Sequence, residues 1–234
     1  MSSLLEQVQG LIERTYDLST GIGEIGAFVI GDEGLRVLYG ESPLVERIVA
    51  AGRAAPAVVV GSHSRTARTL VRQDGEDLRL SLYYPDTLIE HLERHPPLRT
   101  LDERNVDAFA VFVEELDHLL HIAHRQREGR ELTLLELEWQ ANVTKAEVVR
   151  HLLARRLSPR PLGPAEECWI RFHLFEKYEF AGGDPIVVER YREAVRLAVQ
   201  TLGSMAELPP AERLAALRAF ARGSFTEKLR TLAA

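Results

Sequence analysis

Cysteine occurs once in this chain, at Cys168, and methionine and tryptophan only twice each. A single thiol excludes an internal disulfide and a cysteine-rich zinc site. Lysine is almost as scarce: Lys145, Lys177 and Lys228 are the only three among 29 basic residues. No stretch reaches the roughly 18 consecutive apolar residues of a membrane-spanning helix. The opening MSSLLEQVQGLIERTYDL carries Glu6, Glu13 and Arg14 inside its apolar pattern, so it lacks the apolar core of a signal peptide. The expectation is a cytoplasmic protein without membrane contact. Its bias to Arg, Ala and Leu fits a bacterium of high GC content. Positive charge is also in deficit, with a net charge of -6 and a pI near 5.8. Phosphate binding relies on clustered Lys and Arg, so no nucleic-acid partner is expected.

What is present reads as globular. Hydrophobic residues make up 45% and charged residues 27% of 234 positions. Residues 3–17 have helical periodicity. Short strands are expected at 27–30, 35–39 and 58–60, and a short helix at 44–53. Leu78, Leu80, Leu82 and Tyr84 alternate with Arg79, Ser81 and Tyr83. Asp74-Gly75 before them is a hairpin turn signal, which pairs this run with 65–72. From residue 86 helices are expected at 86–94, 102–127, 133–157, 165–179, 185–203 and 210–232, the last broken at Gly223. Thr133 to Glu136 and Ser224 to Glu227 have capping-box spacing. Pro164, Pro185 and Pro210 sit where a first helical turn accepts proline. The fold class is therefore α+β, a small antiparallel sheet at the N-terminal side packed on a mostly α-helical bundle. Residues 1–85 form the mixed part and 86–234 the helical part, sharing one core, with 155–164 as the candidate linker.

Familiar chemical motifs fail on context. Gly21-Ile-Gly23-Glu-Ile-Gly26 matches GxGxxG, but a helix precedes it and a strand follows, the reverse of the dinucleotide-binding order. There is no Walker A sequence, GxSxG or HExxH. Cys168, beside Trp169 in a helix, reads as a small core residue.

The segment from Phe109 to His124 is richer. Glu115-Leu-Asp-His118 has the ExxH spacing of di-iron helices, yet no second ExxH exists to complete that pattern. On a helical wheel Glu114, Asp117, His118 and His121 lie along one flank of an apolar face. In the next helix Glu138, Asn142 and Lys145 form a narrow polar stripe between apolar borders. Folding about Gly129 sets His121 opposite Glu138, Asp117 and His118 near Asn142, and Glu114 near Lys145. These complementary pairs read first as a hydrogen-bonded ladder. As a metal site, the same residues would offer His118, His121, Glu114 and Glu138 to iron, manganese or zinc.

The strings Glu114-Glu-Leu-Asp-His-Leu-Leu-His-Ile-Ala123 and Leu134-Leu-Glu-Leu-Glu-Trp-Gln-Ala-Asn-Val-Thr-Lys145 resemble a family of uncharacterised bacterial proteins. The resemblance covers residues 80–157 and implies no activity, cofactor or partner. No nucleophile–base pair or complete metal set assembles from the residues, so the functional expectation is a non-catalytic interaction or regulatory protein without a cofactor. The alternative is a helical metalloprotein or metal-dependent hydrolase. The segment from Leu208 to Leu232 is amphipathic and basic, and either closes the chain's own bundle or docks on a protein partner or second copy.

Overall fold

Two helices that bury polar residues on nearly every side organise the structure, a computed structural model describing residues 3–39, 58–60, 67–74, 77–157, 162–177 and 184–233. In chain order the elements are α1 (Leu4–Tyr16), a 3-10 turn (Ile25–Phe28), β1 (Val29–Ile30), α2 (Asp32–Tyr39), β2 (Val58–Val60), β3 (Arg68–Asp74) and β4 (Asp77–Tyr83). There follow α3 (Asp86–Arg94), α4 (Val106–Arg127), α5 (Leu134–Leu157), α6 (Pro164–Arg171) with a π-helical turn (Phe172–Glu176), α7 (Pro185–Ser204), α8 (Pro210–Arg222) and α9 (Phe225–Ala233). Among the described residues no helix is long and apolar enough to cross a membrane.

The α+β class holds. The sheet order is β1-β4-β3-β2. β3 pairs antiparallel with both β2 and β4, as the alternating pattern requires, while the two-residue β1 joins β4 in parallel, so the sheet is mixed. Leu82 is fully buried and Leu80 packs against the same core. Gly75 and Glu76, at the expected Asp74-Gly75 turn, and the helix expected at 44–53 lie outside the described residues, as does 158–161 within the expected linker.

One strand assignment is overturned. Residues 35–39, expected to return as a strand, belong to helix α2. Asp32 and Glu33 stand in its first turn, where carboxylates oppose the helix dipole. Leu35 packs on Leu70 and Tyr83, whereas Val37 and Leu38 are exposed, which is not the alternation of a strand.

Helix α4 touches α1, α3, α5, the sheet and the π turn, and α5 touches α1, α4, α6 and α7. The wheel's core face of α4, Val106, Phe109, Val113, Leu116, Leu120 and Ala123, is buried. Gly129 joins the two helices at φ +64°, a left-handed conformation that costs glycine nothing. On α5 every residue from Glu136 to Ala146 is buried. An encased helix has no solvated face, so its charged side chains must find partners inside. One continuous core links α1, β4, α4, α5, α7 and α8. The C-terminal segment closes this bundle: Leu217, Phe220, Ala221 and Lys228 are buried, and Phe225 and Leu232 pack on the core.

Cys168 is exposed, contrary to its expected core position. α6 is short and buries only Ile170, which places the thiol on the outer side.

Candidate functional site

The α4–α5 hairpin encloses a cluster of charge. Glu114 and Lys145 form an ion pair at 2.5 Å, and this side chain of Glu114, 18% exposed, is the cluster's main opening to the surface. His118 is fully buried, with Nδ1 3.5 Å from Glu115 Oε2 and Nε2 3.6 Å from Glu138 Oε2. Glu115 is anchored from the sheet: its Oε2 accepts the Thr69 N–H at 2.6 Å, and its carbonyl accepts the Thr69 hydroxyl at 2.8 Å. Asn142 donates to the Glu138 carbonyl of its own helix at 2.8 Å.

The pairing departs from the sequence-based register. His118, and not His121, faces Glu138. His121 places Nδ1 3.1 Å from Asp117 Oδ1 and meets the edge of Tyr16 at 5.7 Å between centroids. The contact is displaced by about one helical turn, while Lys145 keeps its pair with Glu114. Asp117 therefore stands with His121 on the Tyr16 side.

The electrostatics follow from burial and crowding. Burial raises the Glu138 carboxyl, with His118 only partly offsetting it, and burial likewise raises Glu115. Burial opposes charge on His118, but Glu115, Glu138 and Glu114 outweigh it and push the imidazole up to about 9. Glu114 is also penalised by burial, yet Lys145 and His118 hold its carboxyl below the ordinary range. Burial raises the Tyr191 phenol of α7, helped by the negative field of Glu138, Glu114 and Glu115.

A second network lies next to the first. Arg125 Nη2 and Lys228 Nζ approach the same oxygen of Glu136 at 3.0 and 3.1 Å. Arg125 also donates to the carbonyls of Ala221 and Gly223, and Lys228 lies over the Phe220 ring at 4.5 Å. This network ties the hairpin to α8 and α9. Residue spacing did not reveal it. Glu136 stood as a capping-box residue, and Thr133 Oγ1 does accept its N–H at 3.1 Å, but its carboxylate turns inward. The available signal was Lys228, a rare lysine embedded in an apolar stripe. Glu115 was visible only within ExxH.

Burial depresses the Lys228 ammonium to about 8, against the pull of Glu136. Between about 8 and the ordinary lysine value the unfolded chain holds a proton that the folded chain has released, so stability rises with pH there. Wild-type protein is accordingly expected to gain on Lys228→Met between pH 8 and 9.5, by up to about 1.4 kcal/mol per unit. Urea melts of both proteins at the two pH values measure it. A constant difference would contradict the buried ammonium.

Two surface clefts lie elsewhere. One of about 550 Å³ is lined by Leu101, Asp102, Arg104, Leu153 and Trp169, and one of about 260 Å³ by Leu11, Arg14, Leu98, His151 and Arg155. Neither has a wall from the hairpin cluster. In comparisons with known proteins, the chain matches no family model, no curated protein and no solved structure.

Proposed function

We propose that this chain is a non-catalytic interaction or regulatory protein of the bacterial cytoplasm, in which the α4–α5 cluster controls the conformation of the bundle. One observation carries the reading: Asp117, His118 and Glu138 are wholly buried, away from both clefts. Groups that meet no substrate act on function only through the chain's own conformational equilibrium. A hydrolase needs its acid, base or ion within hydrogen-bond reach of a substrate, and among the described residues this cluster reaches the surface through the Glu114–Lys145 pair, 18% and 11% exposed. The expected partner is a protein or a second copy of this chain. The exposed Val37 and Leu38 of α2 supply apolar contact area for it.

Native mass spectrometry of untagged protein tests the reading. A dimer or a complex with a protein is expected, in a proportion that changes in Lys145→Met, which alters the cluster and leaves α2 untouched. A monomer at all concentrations, or assembly indifferent to Lys145→Met, would overturn it.

A further inference from the structure

The hairpin cluster contains more unanswered polarity than a closed ladder should. Both ring nitrogens of His118 and both carboxylate oxygens of Glu138 are buried without a hydrogen-bond partner among the described residues. Were His118 a clamp between two carboxylates, charge-assisted contacts of about 2.7–2.9 Å would be expected. The observed separations are 3.5 and 3.6 Å. Such groups are costly to bury unless something else satisfies them.

We infer that Glu114, His118 and Glu138 form a binding site for one divalent transition-metal ion. One ligand atom from each lies within 4.8 Å of the other two. Metal–ligand bonds of about 2.0–2.2 Å set tetrahedral ligand–ligand separations near 3.4 Å. The His118 Nε2 to Glu138 Oε2 distance of 3.6 Å already meets that spacing. Glu115 then has a definite role as a positioning residue. Fixed by the Thr69 backbone, its Oε2 stands 3.5 Å from His118 Nδ1, and with an ion held at Nε2 it would accept the Nδ1–H and keep Nε2 turned toward Glu138, the carboxylate–histidine arrangement that orients metal-bound imidazoles. Lys145 engages one oxygen of Glu114 and leaves the other for the ion. Glu114, Glu115 and Glu138 outnumber the Lys145 ammonium beside them, a negative excess that a divalent cation reduces. Mixed nitrogen and oxygen donors select zinc, iron(II) or manganese. His121 is outside the ligand set, which revises the set read from the sequence. The inference rests on the regulatory reading in one respect, that a sealed ion acts on the fold and not on a substrate.

The test uses the full chain, made without a polyhistidine tag, stripped with chelator and mixed with ZnCl2 or MnCl2. One equivalent retained through gel filtration is expected for at least one of the ions, with a higher melting temperature. Glu138→Gln keeps the shape and is expected to lose that equivalent with an unchanged circular dichroism spectrum. Glu115→Gln is expected to weaken binding about 10–100-fold, while His121→Gln retains the ion. Wild-type protein that holds neither ion, or Glu138→Gln that still holds the equivalent, overturns the site. If Glu138→Gln does not fold, unchanged affinity in Glu115→Gln overturns it instead. The two proposals fail separately: an assembled protein without an ion sinks only the metal site, and an ion-bearing monomer sinks only the regulatory reading.

Discussion

Replacing Glu136 with alanine is expected to remove about 3–5 kcal/mol of folding stability, the cost of leaving buried charge without its counter-ion. Its carboxylate is the shared acceptor for Arg125 and Lys228, both almost fully buried. Arg125 would keep the carbonyls of Ala221 and Gly223. Lys228 would keep Gln140 at 3.4 Å and the ring faces of Phe220 at 4.5 Å and Trp139 at 6.0 Å, none of which neutralises its charge. The lysine therefore carries most of the loss. Glu136→Gln, which retains an acceptor of the same shape, should lose less. The double variant Glu136→Ala/Lys228→Met should recover much of the deficit, because it removes the orphaned ammonium and leaves an apolar side chain against Phe220. Urea denaturation of the three proteins measures these differences. If the double variant is no more stable than Glu136→Ala, the unpaired-charge account is wrong.

Trp139→Ala is expected to have an effect of similar size, about 3–5 kcal/mol, through a large cavity at the centre of the helical layer. The indole is completely buried and packs edge-on against Phe220 at 5.2 Å and Phe225 at 6.1 Å. Its Nε1–H donates to Thr201 of α7 at 3.0 Å. One side chain thus joins α5 to α7, α8 and α9. The loss should be local before it is global: amide hydrogen exchange is expected to accelerate first over 217–230. Trp139→Phe should be milder, since it retains a ring against Phe220 and loses mainly the Thr201 bond. Uniform protection across α8 and α9 in Trp139→Ala would show that these helices are held by something other than the indole.

Much of the scaffold was legible because it is written in local chemistry. Pro164, Pro185 and Pro210 each stand in the first turn of their helices. Ser224 and Glu227 form the reciprocal cap their spacing requires. The apolar face of α4 and the β3–β4 pairing follow from periods of 3.6 and 2. Where the local signal was weak, the assignment failed. Leu35 to Tyr39 is short enough to suit either period, and in the structure it belongs to α2, with Leu35 packed on Leu70 and Tyr83.

The hairpin shows the limit most clearly. The sequence by itself determined that α4 and α5 are joined at Gly129, and that Glu114 and Lys145 meet across them. Covalent spacing and helical periodicity suffice for that. Only the tertiary structure decided that His118 replaces His121 opposite Glu138, that Glu115 is held by the backbone of β3, and that Lys228 arrives beside Glu136 from the far end of the chain. Those contacts depend on how helices cross and on which strand or terminal helix covers them. A wheel drawn for one helix carries no information about its neighbours. Register across a helical interface is set by side-chain interdigitation in three dimensions, and a one-turn displacement exchanges one histidine for another while leaving every local pattern intact.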